Sequence, residues 1–258
     1  MKNIIFYFTG TGNSLKVARN IASKLEECEV RLITNFTDKK LEAGYERIGF
    51  VFPVYCGTIP NYLSKFLNEI DFTLNKNAYF FAVSTQGGSK GNSLAEVNQL
   101  LNKQGINLNK SFDIKMFSNY VVLYDMANNV QEQNEIDDIK IKSIAEDVGN
   151  KVEENEIYKK NVVLNLVSKI VLPRFAKMDR NFNISDECDG CGICVKVCPV
   201  KNIELIDNKP LFNHKCEQCV SCIHNCPCRA INYKSKTKAR GRYRNTDVKL
   251  NDLFSDGK

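Results

Sequence analysis

Short apolar runs alternate with amphipathic stretches through the first 160 residues. Residues 4–8 form an apolar run suited to a buried parallel strand. From Asn13 to Glu27, Leu15, Ala18, Ile21, Ala22 and Leu25 recur at helical spacing on one face. Residues 30–33 and 48–52 are the next strand-like runs, and Pro60 opens a helix carried by Leu63, Phe66 and Leu67. Residues 79–83 read as another buried strand, followed by a helix face of Leu94, Val97, Leu100 and Leu101. Residues 112–122 predict a fifth strand, and Ile136, Ile139, Ile144, Val148 and Val152 predict a last, highly charged helix. Strands alternating with helices predict an α/β fold, a five-stranded doubly wound parallel sheet with helices on both faces.

Ligands of open α/β sheets bind beyond the carboxyl ends of the strands. Three predicted loops lie at that end. The first is Thr9, Gly10, Thr11, Gly12, Asn13 and Ser14, whose hydroxyls and backbone amides at a helix amino terminus suit an anion. It lacks Gly-Lys-Ser/Thr and G-x-G-x-x-G, so it is neither an NTPase P-loop nor a nicotinamide fingerprint. The plainer reading is a strand–helix turn capped by Asn13 or Ser14. The second loop holds Pro53, Val54, Tyr55, Cys56, Gly57 and Thr58, where a flat ring fits on Tyr55 and backbone approaches closely at Gly57. The third holds Ser84, Thr85, Gln86, Gly87, Gly88, Ser89, Lys90 and Gly91. Each alone is turn chemistry; their conjunction predicts a ligand site.

Residues 161–182 are expected to connect two domains. The apolar residues surround much of a helix that Pro173 should break. A helix buried between the domains is the first expectation, and a docking patch for a membrane surface or a partner is the alternative.

Beyond it the word C-x-x-C-x-x-C-x-x-x-C-P occurs twice, at Cys188, Cys191, Cys194, Cys198 and at Cys216, Cys219, Cys222, Cys226. In such paired words the fourth cysteine crosses to the other cluster. This predicts one 4Fe–4S cluster on Cys188, Cys191, Cys194 and Cys226 and a second on Cys216, Cys219, Cys222 and Cys198. Zinc, held by two separated C-x-x-C pairs, fits the spacing poorly. A disulfide framework needs an oxidising compartment, and the start of the chain carries no secretory pattern, so a cytoplasmic protein is expected. Residues 203–206 and 230–233 read as strands following the two words. Gly190 and Gly192 of the first word are replaced by Gln218 and Val220 in the second, which predicts unequal cluster potentials. Cys28, Cys56 and Cys228 remain outside the words, Cys28 reading as packing, and His214 and His224 read as ordinary polar residues.

A hydrophobic content of 43% over 258 residues, with 15 Phe and 10 Tyr, builds a real core, and no run is long enough to span a bilayer. The net charge of +6 invites an acidic or nucleic-acid partner. Two oxidised clusters would bring about −4, and a phosphate held at the first loop about −1.5 to −2 more, leaving the loaded protein near neutral. Lys234, Lys236, Lys238, Arg240, Arg242 and Arg244 occupy alternate positions of a basic tail, 234–258, and in extended chain would line one edge. With little aromatic interleaving, such a tail is expected to lie on the protein or to dock an acidic redox partner rather than to bind nucleic acid.

The three loops resemble the phosphate-binding and two ring-flanking loops of flavodoxins. With the cysteine words behind them, nearly the whole chain resembles the fused flavodoxin–ferredoxin proteins of anaerobic bacteria and archaea. The resemblance implies a flavodoxin-like domain over 1–160, the connection over 161–182, and an α+β bacterial ferredoxin-like domain over 183–233. It implies FMN, with Thr9, Thr11, Asn13 and Ser14 on the phosphate, Tyr55 on the isoalloxazine, and the Gly57–Thr58 peptide near the ring. Cys56 departs from the bulkier residue usual there. The function it implies is electron transfer between FMN and two 4Fe–4S clusters, converting between one- and two-electron steps. A flavin-dependent reductase of a small acceptor and a redox-gated sensor are the alternatives. A redox partner protein is expected; a homo-oligomer stays open.

Overall fold

The computed structural model describes residues 2–126, 130–154 and 156–255. Met1 and residues 256–258, at the outer ends of the first and last expected segments, lie outside the described residues. The elements of the first half follow in the order β1 (Lys2–Tyr7), α1 (Asn13–Ala22), β2 (Cys28–Leu32), β3 (Tyr45–Pro53), α2 (Asn61–Glu69), β4 (Tyr79–Gln86), α3 (Ser93–Asn102), β5 (Lys110–Lys115) and α4 (Val130–Gly149). All strand pairs are parallel and the order is β2-β1-β3-β4-β5, the flavodoxin-like doubly wound order. Alternate residues of each strand serve opposite faces. Ile4, Phe6, Phe8, Phe50, Phe52 and Phe80 pack under α2 and α3. Ile5, Tyr7, Val51, Phe81 and Val83 pack under α1 and α4. Because β1, β3 and β4 are covered on both sides, they read as continuous apolar runs.

Three expectations in this half are corrected. Helix α1 stops at Ala22 rather than Glu27, and Gly12 (φ 101°), not Asn13 or Ser14, occupies its N-cap position. The fifth strand ends at Lys115; from Met116 to Val122 the chain leaves the sheet and crosses its carboxyl edge, because Val121 and Val122 pack on the second half instead. The face of α4 is Ile141, Ile144, Ala145 and Val148, whereas Ile136 and Ile139 are exposed.

Helix α5 (Val162–Phe175) follows, capped by Asn161, whose Oδ1 accepts from the Leu164 N–H at 3.0 Å. It continues through Pro173. Its solvent face is apolar: Val162 is 78% and Val163 73% exposed while Ser168 is buried. The expected burial between domains therefore holds only for the side carrying Leu164 and Phe175.

The second half contains β6 (Phe182–Ile184), α6 (Ile193–Lys196), β7 (Ile203–Ile206), β8 (Lys209–Phe212), α7 (Ser221–Asn225) and β9 (Ile231–Tyr233). Strands β6 and β9 pair antiparallel and tie its two ends together, and β7 and β8 form a hairpin. This is the small α+β unit expected. The short helices α6 and α7 each follow the second cysteine of a word, giving the unit an internal repeat.

The basic tail is not an extended charged edge. Arg240 Nη1 donates to Val121 O (2.6 Å), Arg242 Nη2 to Asn232 Oδ1 (2.9 Å) and Arg244 Nε to Val248 O (3.1 Å). The guanidinium groups satisfy carbonyls of the protein itself. Beyond them the chain runs back across α1. Lys16, 2% exposed, pairs with Asp138 at 2.6 Å and Asp247 at 2.7 Å, and Arg19 pairs with Asp252 at 2.8 Å. Burial alone would lower the Lys16 pKa, but the two carboxylates outweigh it and raise it. Val197, Val248 and Leu253 join the core beneath α1, so the two halves share one apolar cluster.

Candidate cofactor sites

At the carboxyl edge of the sheet the loops surround an open cavity of ≈ 420 Å³. Of the residues singled out in the sequence, Thr9, Gly10, Thr11, Asn13, Ser14, Pro53, Val54, Tyr55, Cys56, Gly57, Thr85, Gln86, Gly87 and Gly88 line it. Gly12, Thr58, Ser84 and Gly91 do not, and each has a supporting place. Gly12 packs on Val248 and Asn245. The Thr58 hydroxyl bonds Glu96, away from the cavity. Ser84 is fully buried in β4. Gly91 (φ 53°) lies against the Gly57 carbonyl, where any Cβ would collide. A fourth wall, outside the three predicted loops, is formed by Phe117, Asn119, Tyr120 and Tyr124 from the loop after β5, together with Phe175 of α5 and Gln218, Cys219 and Val220 of the second half. The polar Ser118-Asn119 pair inside an apolar run was the only local sign of that loop.

The donor set of the first loop suits a phosphate. Gly12 N–H donates to Thr9 Oγ1 (3.0 Å) and Asn119 Nδ2 to Thr11 Oγ1 (2.8 Å). With those oxygens already accepting, each hydroxyl proton remains to be donated to an anion. The first-turn N–H groups of α1 have no partners within the helix and carry its positive end. Deeper in, Gln86 Nε2 bonds Asp113, and the buried Gln86 Oε1 has no partner; it is the kind of acceptor that a ring imide N–H needs. FMN fits these residues.

The eight cysteines of the two words gather in two groups. Cys188, Cys191, Cys194 and Cys226 line one small cavity. Cys198, Cys216, Cys219 and Cys222 line another. In each, three cysteines come from one word and one from the other. Among the described residues no three His, Cys, Asp or Glu side chains converge on a single-ion site. Backbone N–H groups point at sulfur, from Asn202 to Cys198 Sγ (3.2 Å), from Gln218 to Cys216 Sγ (3.3 Å) and from Ala230 to Cys226 Sγ (3.3 Å). Such bonds to thiolate suit an iron–sulfur cluster. Gly190 and Gly192 have φ of 74° and 72°, and Gln218 and Val220 match them at 54° each. The second word thus keeps the glycine conformation with side chains, an uncommon state for a β-branched residue. Gln218 uses its side chain as well, Nε2 donating to Cys216 Sγ at 3.4 Å. Donors to cluster sulfur favour the reduced state, so, for a cluster held on Cys216, Gln218→Ala is expected to lower its potential by about 20–60 mV. An EPR-monitored redox titration checks this; an unchanged midpoint would count against it.

The two kinds of cavity meet. Cys219 and Val220 line both the open cavity and the Cys198–Cys216–Cys219–Cys222 cavity. Gly10 makes the approach close: a Cβ there would lie 2.5 Å from the Cys219 carbonyl oxygen. Beside it, Glu217 accepts from the Asn61 and Tyr62 N–H groups at 2.9 Å each, capping α2 from the other half of the chain. Burial pushes the Glu217 carboxyl up to about 7 against the pull of those amides. His224, two residues past Cys222, is a buried structural hub rather than a ligand; burial pushes its imidazole down to about 4. Cys228 is half-buried beside Cys226 in sequence, and burial raises Cys28 to about 11, in keeping with a packing role.

Residues 4–118 match the flavodoxin domain family, and residues 184–204 match the 4Fe–4S binding domain family. The second match covers the first cysteine word and ends before Cys216. No curated protein matches the chain. Among solved structures, rubredoxin:oxygen oxidoreductase of the anaerobe Desulfovibrio gigas is similar at 16% identity and a TM-score of 0.41, over 58% of this chain and 35% of that one. The match therefore spans about a third of that relative. A flavodoxin of Streptococcus pneumoniae TIGR4 is similar at 16% identity and a TM-score of 0.39, over 58% of this chain and 99% of that one. A flavodoxin from the domain Archaea is similar at 17% identity and a TM-score of 0.37, over 57% and 99%. Among the described residues no helix is long and apolar enough to cross a membrane.

Proposed function

The chain combines a flavodoxin domain with a 4Fe–4S ferredoxin-type domain, and on that footing we propose that it passes electrons between FMN and two 4Fe–4S clusters arranged in series. When bound, FMN exchanges one or two electrons and each cluster one, so the unit converts between paired and single electrons. The observation that carries this reading is the shared wall: Cys219, a ligand of one cluster, also borders the flavin cavity. That cluster, on Cys198, Cys216, Cys219 and Cys222, is the proximal one. The other, on Cys188, Cys191, Cys194 and Cys226, is distal and has an exposed ligand in Cys191, where a redox partner protein would meet it.

The protein side of the work is orientation and exclusion of water. Thr9 and Thr11 would donate to the phosphate, Gln86 Oε1 would accept from the ring, and Tyr55 and Tyr120 line the cavity that would hold it. Val220 lines both this cavity and the one on Cys198, Cys216, Cys219 and Cys222. Against the reductase alternative, the described residues that line the cavity include no Asp, Glu, His or Lys, and burial raises the pKa of Tyr55, Cys56 and Tyr120 there, which makes them weaker proton donors to an acceptor. Against the sensor alternative, Arg240, Arg242 and Arg244 are engaged by the protein's own carbonyl oxygens.

Anaerobically purified protein is expected to hold about eight iron, about eight sulfide and about one FMN per chain. About four iron would contradict the two-cluster reading, and protein that takes up no FMN would contradict the flavin.

A further inference from the structure

The phosphate loop is completed from the far end of the chain. Asn13, at the start of α1, is 8% exposed, and its Oδ1 accepts two hydrogen bonds from the tail: Tyr243 OH at 2.7 Å and Asn245 Nδ2 at 3.0 Å. Asn245 N–H also donates to the Thr11 carbonyl at 2.9 Å. Tyr243, Asn245 and Val248 are each at most 5% exposed, so this is a built contact rather than a surface touch. Tyr243 stacks on Phe117 at 4.8 Å.

The tail is itself anchored. Tyr243 N–H donates to His224 Nδ1 at 3.0 Å, so that nitrogen carries no proton and Nε2 does. His224 Nε2 then donates to Asn119 O at 2.8 Å, and Asn119 Nδ2 donates to Thr11 Oγ1 at 2.8 Å. A closed ring of hydrogen bonds runs from the phosphate loop through the tail and α7 and back to the loop.

We propose that residues 243–248 are a strap that sets the loop's affinity for phosphate, with Tyr243 and Asn245 as positioning residues acting through Asn13 and Thr11. The reason is the polarity of the groups that the strap holds. An amide oxygen turned toward a phosphate dianion repels it; two strap donors on Asn13 Oδ1 keep that oxygen on the strap. The Thr11–Gly12 peptide is fixed the same way, its carbonyl on Asn245 and its N–H on Thr9 Oγ1. That second bond is what leaves the Thr9 hydroxyl proton to donate outward. The strap thus sorts the loop's acceptors away from the anion and its donors toward it. Gly12 gives Val248 room to seat: a Cβ on Gly12 would lie 3.0 Å from Val248 Cβ.

This inference rests on the FMN reading, and one comparison separates the two. Riboflavin has the ring of FMN without the phosphate. Flavin-free, cluster-loaded protein is titrated with each, following quenching of flavin fluorescence. In Tyr243→Phe/Asn245→Ala, which keeps the aromatic stack on Phe117, the Kd for FMN is expected to rise about tenfold to fiftyfold, while that for riboflavin stays within about twofold. Equal losses for both ligands, or an FMN Kd within about twofold of the parent, overturn the inference. Should the double variant fail to fold, Tyr243→Phe alone is expected to weaken FMN about threefold to tenfold with riboflavin again spared. A parent protein that binds neither flavin sinks the FMN reading itself.

Discussion

Cys219→Ala is expected to retain FMN yet leave it electrically isolated, with iron falling from about eight to about four per chain. The alanine keeps the backbone that Gly10 packs on and removes only the thiolate that borders both cavities. Electrons placed on the distal cluster then have no intermediate stop before the flavin. Cys191→Ala removes the same amount of iron from the distal site, where the ligand is exposed and not part of the shared wall. It is expected to leave exchange between the proximal cluster and flavin intact. Rapid mixing with a reductant, read at flavin and cluster wavelengths, compares the two. Equal loss of flavin reduction in both variants would contradict the serial order.

Gly10→Ala is expected to destabilise the protein by about 1–3 kcal/mol, the usual cost of forcing an extra carbon into a packed site. The obstacle is the Cys219 carbonyl oxygen at 2.5 Å, and a backbone oxygen of a residue walled in between two cavities has little freedom to move. Thermal unfolding should shift down by about 3–10 °C. Gly149→Ala, with nothing within 4 Å of the added carbon, should change stability by no more than about 0.5 kcal/mol. Parallel melting curves decide it: a Gly10→Ala protein as stable as Gly149→Ala would mean that the two halves are not pressed together at this point.

The parts of the fold and site readable from sequence were those with local signatures. Buried parallel strands leave continuous apolar runs, and the loops after β1, β3 and β4 carry their glycines and hydroxyls in order. The crossed grouping of the cysteines follows from the repeated word alone. The parts that stayed hidden depend on contacts between residues distant in sequence. Val121 and Val122 look like the end of a strand because they are apolar, yet what they cover is the second half. The alternating bases from Lys234 to Arg244 look like a charged edge because a pattern of side chains does not reveal which carbonyls they meet. Tyr243 lies 230 residues from Asn13, and no local pattern announces that bond. Helix α5 misleads for the opposite reason: its apolar residues suggest burial, yet Val162, Val163 and Leu166 face solvent while Ser168 is buried, as Phe175 is, its hydroxyl satisfied by Asn165 O.

The central claim is that the flavin and the clusters form one path within one chain. Its most direct test is the reduction of the intact protein by a limiting amount of a one-electron reductant under anaerobic rapid mixing, at several protein and reductant concentrations. The serial arrangement predicts that cluster absorbance bleaches first and that the flavin then changes in a phase whose rate is independent of both concentrations. Flavin reduction seen only in a phase that scales with reductant or protein concentration would contradict it.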